Sequence, residues 1–251
     1  MIVKTEAVVL NTFKYGESSK IVTLFTKDSG KIKGIAKGSR KPKNKFGSAL
    51  DPLSYSSINY YYKPNTELFL LSDAELVTSL RKIQDSYTHL MVGLMIVESI
   101  NVTQDNYDPN PEIFYLLIDT LIRLNELPEN PFALLYYFLI HLSEIIGFAL
   151  DFSEFNQILN VQKFSESQKI IFSFEDGAFS MSETGNNLFA FNNRTALFLN
   201  NLNSLTLENI IKLETDKSII NELNEFFNQY FSYHLDRKNS FKTLRLFKTI
   251  L

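Results

Sequence analysis

The sequence predicts an α+β chain: a small five-stranded closed β-barrel at the N-terminus, then an all-α helical bundle carrying a small β insertion. Three observations carry this. Short runs rich in β-formers follow one another over residues 3–77. From about residue 74 the apolar residues fall three or four apart. Over residues 151–192 that helical period is lost again. The expected domains are 1–77 and 78–251, with the insertion at about 155–190.

The elements follow in order. Residues 5–13 hold Val8, Val9 and Thr12 and read as a strand. Residues 21–26 are a second, and Asp28-Ser29-Gly30 is a turn leading into residues 31–37 as a hairpin. A basic loop punctuated by Gly38, Pro42, Asn44 and Gly47 comes next. Residues 53–62 and 66–72 complete five strands, which suits a barrel of the OB type, with an SH3-like barrel as the alternative. Leu76, Leu80, Ile83, Tyr87, Leu90, Leu94 and Val97 then predict a helix. Asn110 and Asn130, each followed by Pro, are expected to cap helices, the second covering residues 132–150. Asp176-Gly177 is a hairpin turn between residues 169–174 and 178–181. Residues 195–202, 206–213 and 219–234 are helical, and the tail 237–251 is again periodic.

Composition removes several classes. The 251 residues contain no Cys, so there is no disulfide, thiolate nucleophile or Cys-based metal site. No nucleophile elbow, Walker loop, dinucleotide fingerprint or HExxH motif is found. His141-x-x-Glu144 could set two ligands on one helix face, but a di-iron bundle needs the opposite order, twice. No enzyme, metal or cofactor is expected. The apolar stretch 132–150 is interrupted by His141, Ser143 and Glu144, which suits a buried helix and not a membrane span. With no basic-then-apolar leader pattern, the expected location is cytoplasmic.

The net charge of −3 is unevenly spread. Residues 1–83 hold 14 basic and 7 acidic side chains, residues 84–236 hold 6 and 21, and residues 237–251 hold 5 and none. A basic module joined to an acidic one points to a polyanion partner. Lys31, Lys33, Lys37, Arg40, Lys41, Lys43 and Lys45 place seven cations in 15 residues with no acid. Strand alternation puts Lys31, Lys33, Ile35 and Lys37 on one face. A phosphate backbone best offsets their repulsion, through sequence-independent, salt-dependent contacts. Phe13, Tyr15, Phe46, Tyr60, Tyr61 and Tyr62 are nearby rings for base stacking, though core or barrel packing is the favoured account of any single one.

The stretches Thr5-Glu6-Ala7-Val8-Val9-Leu10, Tyr15-Gly16-Glu17-Ser18-Ser19-Lys20-Ile21-Val22-Thr23-Leu24-Phe25-Thr26 and Ile35-Ala36-Lys37-Gly38-Ser39-Arg40-Lys41 resemble the opening of the bacterial RecO family of DNA repair proteins. Tyr230 to Leu235, with the Tyr-x-x-x-His-Leu pattern, resembles its closing helix. The resemblance implies an OB-fold followed by a helical domain, and a recombination mediator that is not an enzyme. Such a protein binds single- and double-stranded DNA, anneals complementary strands and cooperates with RecR. It also engages the acidic tail of single-stranded DNA-binding protein and helps load recombinase. The family's basic stretch falls on Lys37, Arg40 and Lys41. A nucleoid-associated, cytoplasmic location follows.

Many members carry four Cys and a structural zinc in the insertion. This chain has none, so residues 156–182 are expected to be a metal-free zinc-finger remnant packed by Phe164, Ile171, Phe172, Phe174 and Phe179. A pocket for an acidic, Phe-ended tail needs a cation beside an apolar groove. Arg123 is the only Lys or Arg between residues 84 and 162, with Arg81 and Lys82 as rivals. The charge pattern alone also allows an OB-fold RNA-binding or translation-associated adaptor.

Overall fold

β1 (Ile2–Tyr15), β2 (Ser19–Thr26), β3 (Gly30–Ala36), β4 (Tyr55–Tyr61) and β5 (Leu68–Thr78) close in the order β1-β2-β3-β5-β4. The computed structural model describes residues 1–161, 169–180, 185–210, 212–235, 241 and 243. The β3–β5 seam is parallel and the other four pairings are antiparallel, which is the OB-fold closure. Alternate residues fill the interior, among them Val9, Val22, Leu24, Ile32, Ile58 and Phe69. At the seam a Cβ on Gly34 would stand 2.7 Å from a Leu71 methyl, so any larger residue there would have to displace that side chain.

Met1–Glu126 form one compact unit, which adds two helices to the barrel. These are α1 (Tyr87–Thr103) and α2 (Pro111–Glu126). α2 covers outward-facing Phe25 and Tyr55, whose rings lie 6.2 and 6.4 Å from Phe114. Its start is as expected, since Asn110 Oδ1 accepts from the Ile113 N–H at 3.1 Å. The helix expected from residue 74 begins later. β5 runs to Thr78, a 3₁₀ helix occupies Arg81–Asp85, and α1 starts at Tyr87 behind Ser86. Leu76 is paired with Ser56 in the sheet. An available strand edge outweighs an apolar spacing that also fits a helix.

Leu127–Leu251 form the second unit. α3 is Phe132–Ile145, shorter than the expected 132–150, because Gly147 turns the chain at φ +88°. Asn130 is not its cap: it sits at φ +52° and its side chain reaches the Leu213 carbonyl and Thr215. α4 (Ser153–Val161) lies where no helix was expected; its nine residues are too few to display a clear period, and Asp151 Oδ1 accepts from the Ser153 N–H. β6 (Lys169–Ser173), β7 (Ala178–Ser180) and β8 (Leu188–Asn192) form a sheet ordered β7-β6-β8. β6 and β7 form the expected hairpin at Asp176-Gly177, while β8 was not foreseen. α5 (Asn193–Ser204), α6 (Leu207–Ile210) and α7 (Lys217–His234) follow.

Aromatic packing ties this sheet to α7: Phe172 meets Phe226 edge-on at 5.2 Å, and Phe179 and Phe191 are fully buried. Ile171 and Phe174 are buried as expected, and Phe164 lies outside the described residues. So does most of the periodic tail, apart from Phe241, packed on Phe231, and Thr243. No helix among the described residues is long and apolar enough to cross a membrane.

Candidate nucleic-acid interface

The β2–β3 hairpin turns at Gly30, whose φ of +64° suits glycine. Alternation along β3 then sends Ile32, Gly34 and Ala36 inward and leaves Lys33 and the following Lys37 exposed. Cross-strand register extends this face around the barrel. Phe13 pairs with Ile21, Ile21 with Ile35, Ile35 with Leu70, and Leu70 with Tyr61. The result is one continuous outward row of apolar side chains, with Phe13 56 % and Tyr61 46 % exposed at its ends. Lys33 and Lys37 flank it, one on each side of Ile35.

Phe13 owes its place to a bulge. Strict alternation from buried Val9 would turn residue 13 inward, but the β1–β2 register shifts between Val9 and Asn11. Phe13 and Tyr15 then face outward. Of the six rings considered from sequence, Phe13, Tyr15, Tyr61 and Tyr62 are exposed, whereas Phe46 and Tyr60 belong to the barrel core.

The seven cations are not equivalent. Lys31 donates to the Asn101 carbonyl at 2.7 Å, tying β3 to the end of α1. Lys45 donates to the Ser72 carbonyl and lies over the Phe46 ring. Arg40 is exposed and one of its nitrogens donates to the Gly16 carbonyl at 3.1 Å. Lys33, Lys37, Lys41 and Lys43 are exposed. The basic loop is an organised turn: Ser39 bonds back to Ala36, Asn44 accepts from the Phe46 and Gly47 N–H groups, and Phe46 anchors it in the core. Lys31 and Lys33 line a shallow cavity of about 350 Å³ with Asn11, Phe13, Thr23, Asn101 and Asn106. Sequence reading missed Asn11 and Asn106, because a bulge and an α1–α2 connection bring them there.

Arg123 lies in the last turn of α2 and pairs with Glu126 at 3.4 Å; Arg81 and Lys82 are exposed on the 3₁₀ helix. His141 Nδ1 lies 3.3 Å from Glu144 Oε2 on α3. Among the described residues no three His, Cys, Asp or Glu side chains group as metal ligands.

Two family models match the chain: Recombination protein O N terminal over residues 1–80, and Recombination protein O C terminal over residues 84–244. A protein named DNA repair protein RecO from Salinibacter ruber is 40 % identical over 148 residues, which span 59 % of this chain and 57 % of that protein. A protein of the same name from Chloroherpeton thalassium is 29 % identical over 258 residues, covering both chains completely. One from Bacillus pumilus is 32 % identical over 126 residues, 50 % of this chain and 48 % of its own.

Proposed function

Because the chain belongs to the Recombination protein O family of DNA repair and recombination proteins, we propose that it is a non-enzymatic recombination mediator. It binds single- and double-stranded DNA, anneals complementary strands and helps load recombinase onto strands coated by single-stranded DNA-binding protein. The single observation that supports this best is the outward row from Phe13 to Tyr61 flanked by Lys33 and Lys37. Rings and apolar groups offer stacking to unpaired bases, and flanking ammonium groups offer charge to the backbone. Lys41, Lys43 and Arg40 extend the charge beyond the sheet, with Lys31 and Lys45 as its supports. Bringing two strands together then needs no bond-making step: cations screen phosphate repulsion while complementary bases pair.

RecR and the tail of single-stranded DNA-binding protein are the protein partners in this reading, in a cytoplasmic, nucleoid-associated setting. The tail's carboxylates would exchange for Glu126 on Arg123, with Arg81 and Lys82 as alternatives. Unchanged tail-peptide affinity in Arg123→Ala, read by fluorescence anisotropy, sinks that assignment.

The central test reverses Lys37 and Arg40 to Glu. Binding should weaken across all DNA sequences, and the salt dependence should become shallower by about 0.7–0.9 per lost phosphate contact. Wild-type binding by the double variant at moderate salt refutes the interface. Strand annealing in a gel, with and without the coating protein, reads the mediator step. Preference for RNA over DNA oligonucleotides in competition would favour an RNA-binding adaptor instead.

A further inference from the structure

We propose that the cavity at the mouth of the barrel is a nucleobase pocket, which receives one base turned out of a bound single strand; this deepens the DNA-binding reading and rests on it. The cavity measures about 640 Å³, within the range of small-ligand sites. Its walls are aromatic: Tyr60, Tyr62, Phe69 and Tyr107. Tyr62 stacks on Phe69 with centroids 5.9 Å apart and planes 24° apart, and remains 45 % exposed. Tyr107 meets Phe69 edge-on at 6.0 Å and is 47 % exposed. Asp28, Ser29 and Asn65 add polar groups, of which Asp28 already accepts from the Thr5 hydroxyl at 2.6 Å and Ser29 is bonded to the Tyr60 hydroxyl at 2.9 Å.

The wall carrying Tyr107 is held at a conformational cost. Tyr107 adopts φ +63°, a left-handed backbone that bulky residues avoid. Its N–H donates to the Lys31 carbonyl at 3.1 Å, and the neighbouring Asp108 backbone sits so close to Gly30 that a Cβ there would overlap it. This arrangement places an exposed ring over the barrel mouth, where its hydroxyl also donates to the Thr66 carbonyl at 3.5 Å.

Position selects the occupant. Asn106 lines the smaller cavity beside Lys31, Lys33 and Phe13, and the next residue, Tyr107, lines this one. The two cavities therefore border consecutive residues of one loop, and the proposal places a strand across it, with a phosphate at Lys33 and a base in the pocket. The charged groups of the lining are the Met1 amino group and Lys63 against Asp28 and Glu67, so no strong field of one sign draws in a charged peptide tail. A neutral, planar, hydrogen-bonding group suits it better.

The test compares a single-stranded oligonucleotide with the same backbone made abasic over its interior. Tyr62→Leu and Tyr107→Asn remove the two exposed rings that pack on Phe69, Asn tolerates the left-handed backbone, and the melting temperature of each variant checks that the barrel is intact. Each should lower the preference for the base-bearing strand about tenfold, as expected for one stacked base, with the salt slope unchanged. A 2-aminopurine strand, read without indole background because the chain has no Trp, should be quenched by the wild type and much less by the variants. If both variants keep the full preference and quenching while Lys33→Gln weakens binding, the pocket assignment falls and the DNA reading stands. If the wild type binds neither strand, both fall. If a neutral tryptophan-bearing peptide binds in a Tyr62-dependent way and the oligonucleotide does not displace it, the pocket docks a protein and the proposal is overturned.

Discussion

Lys31 and Lys33 lie two residues apart on one strand face, yet they should respond oppositely to the same substitution. Lys31 Nζ donates to the Asn101 carbonyl at 2.7 Å, whereas Lys33 is exposed on the shallow cavity. Changing Lys33 to Gln removes one phosphate contact from the proposed interface. For single-stranded DNA that makes the log–log salt slope shallower by about 0.7. Across a rise from 50 to 200 mM salt, the variant should lose about 2.6-fold less affinity than the wild type. Its melting temperature should not move, because no packed partner is lost. Lys31→Gln gives up a tie between β3 and α1 worth about 0.5–1.5 kcal/mol, or a few degrees in a chain of this size. Its salt slope should change little. Fluorescence titration over a salt series, paired with calorimetry, measures both. The reasoning fails if Lys31→Gln flattens the slope as much as Lys33→Gln while its melting temperature stays put.

Further outcomes test the fold. Gly34→Ala should cost about 1–3 kcal/mol in urea unfolding, because the new methyl meets Leu71 at 2.7 Å; Gly30→Ala should cost at least about 1–2 kcal/mol through its φ of +64° alone. Tyr136→Phe should cost about 1–3 kcal/mol by the same measurement, since the buried hydroxyl lies 3.0 Å from both the Ile220 carbonyl and Asn224 Oδ1. Burial between the Phe148 and Tyr230 rings lowers the His234 pKa below its ordinary 6.5. The folded state thus favours neutral imidazole, so its contribution is intact above pH 6.5 and declines as pH falls from there through the folded value; His234→Phe should flatten that part of a stability–pH curve. Asp151, whose carboxylate accepts from the Ser153 N–H, is held below its ordinary 3.8 and supplies a separate loss only at lower pH.

Much of the geometry of the candidate interface was legible in residue order. Alternation in Lys31 to Lys37 identifies the outward cations, and turn residues identify the hairpin that presents them. The Asn110 cap and the long period of α7 were equally plain. Where the reading failed, a local pattern had two solutions. Leu76 and Leu80 fit a helical spacing, but Leu76 sits in a ladder with β4. Asn130 precedes a Pro and a helix just as Asn110 does, yet its amide is taken by Leu213 and the Thr215 hydroxyl.

Sequence by itself determined the barrel, the helical remainder, the basic segment and the missing cysteines, because each depends on residue type and on neighbours a few positions away. Tertiary structure decided how those pieces are arranged on the surface. A single-residue bulge in β1 turned Phe13 from the core to the surface, and parallel closure of β3 on β5 set Leu70 beside Ile35. It also decided which lysines are tied to carbonyls and placed Tyr107 over the barrel mouth. These are matters of register and of contacts between distant parts of the chain. No local period records them, because a bulge or a register shift changes which face a side chain takes without changing the order of residues.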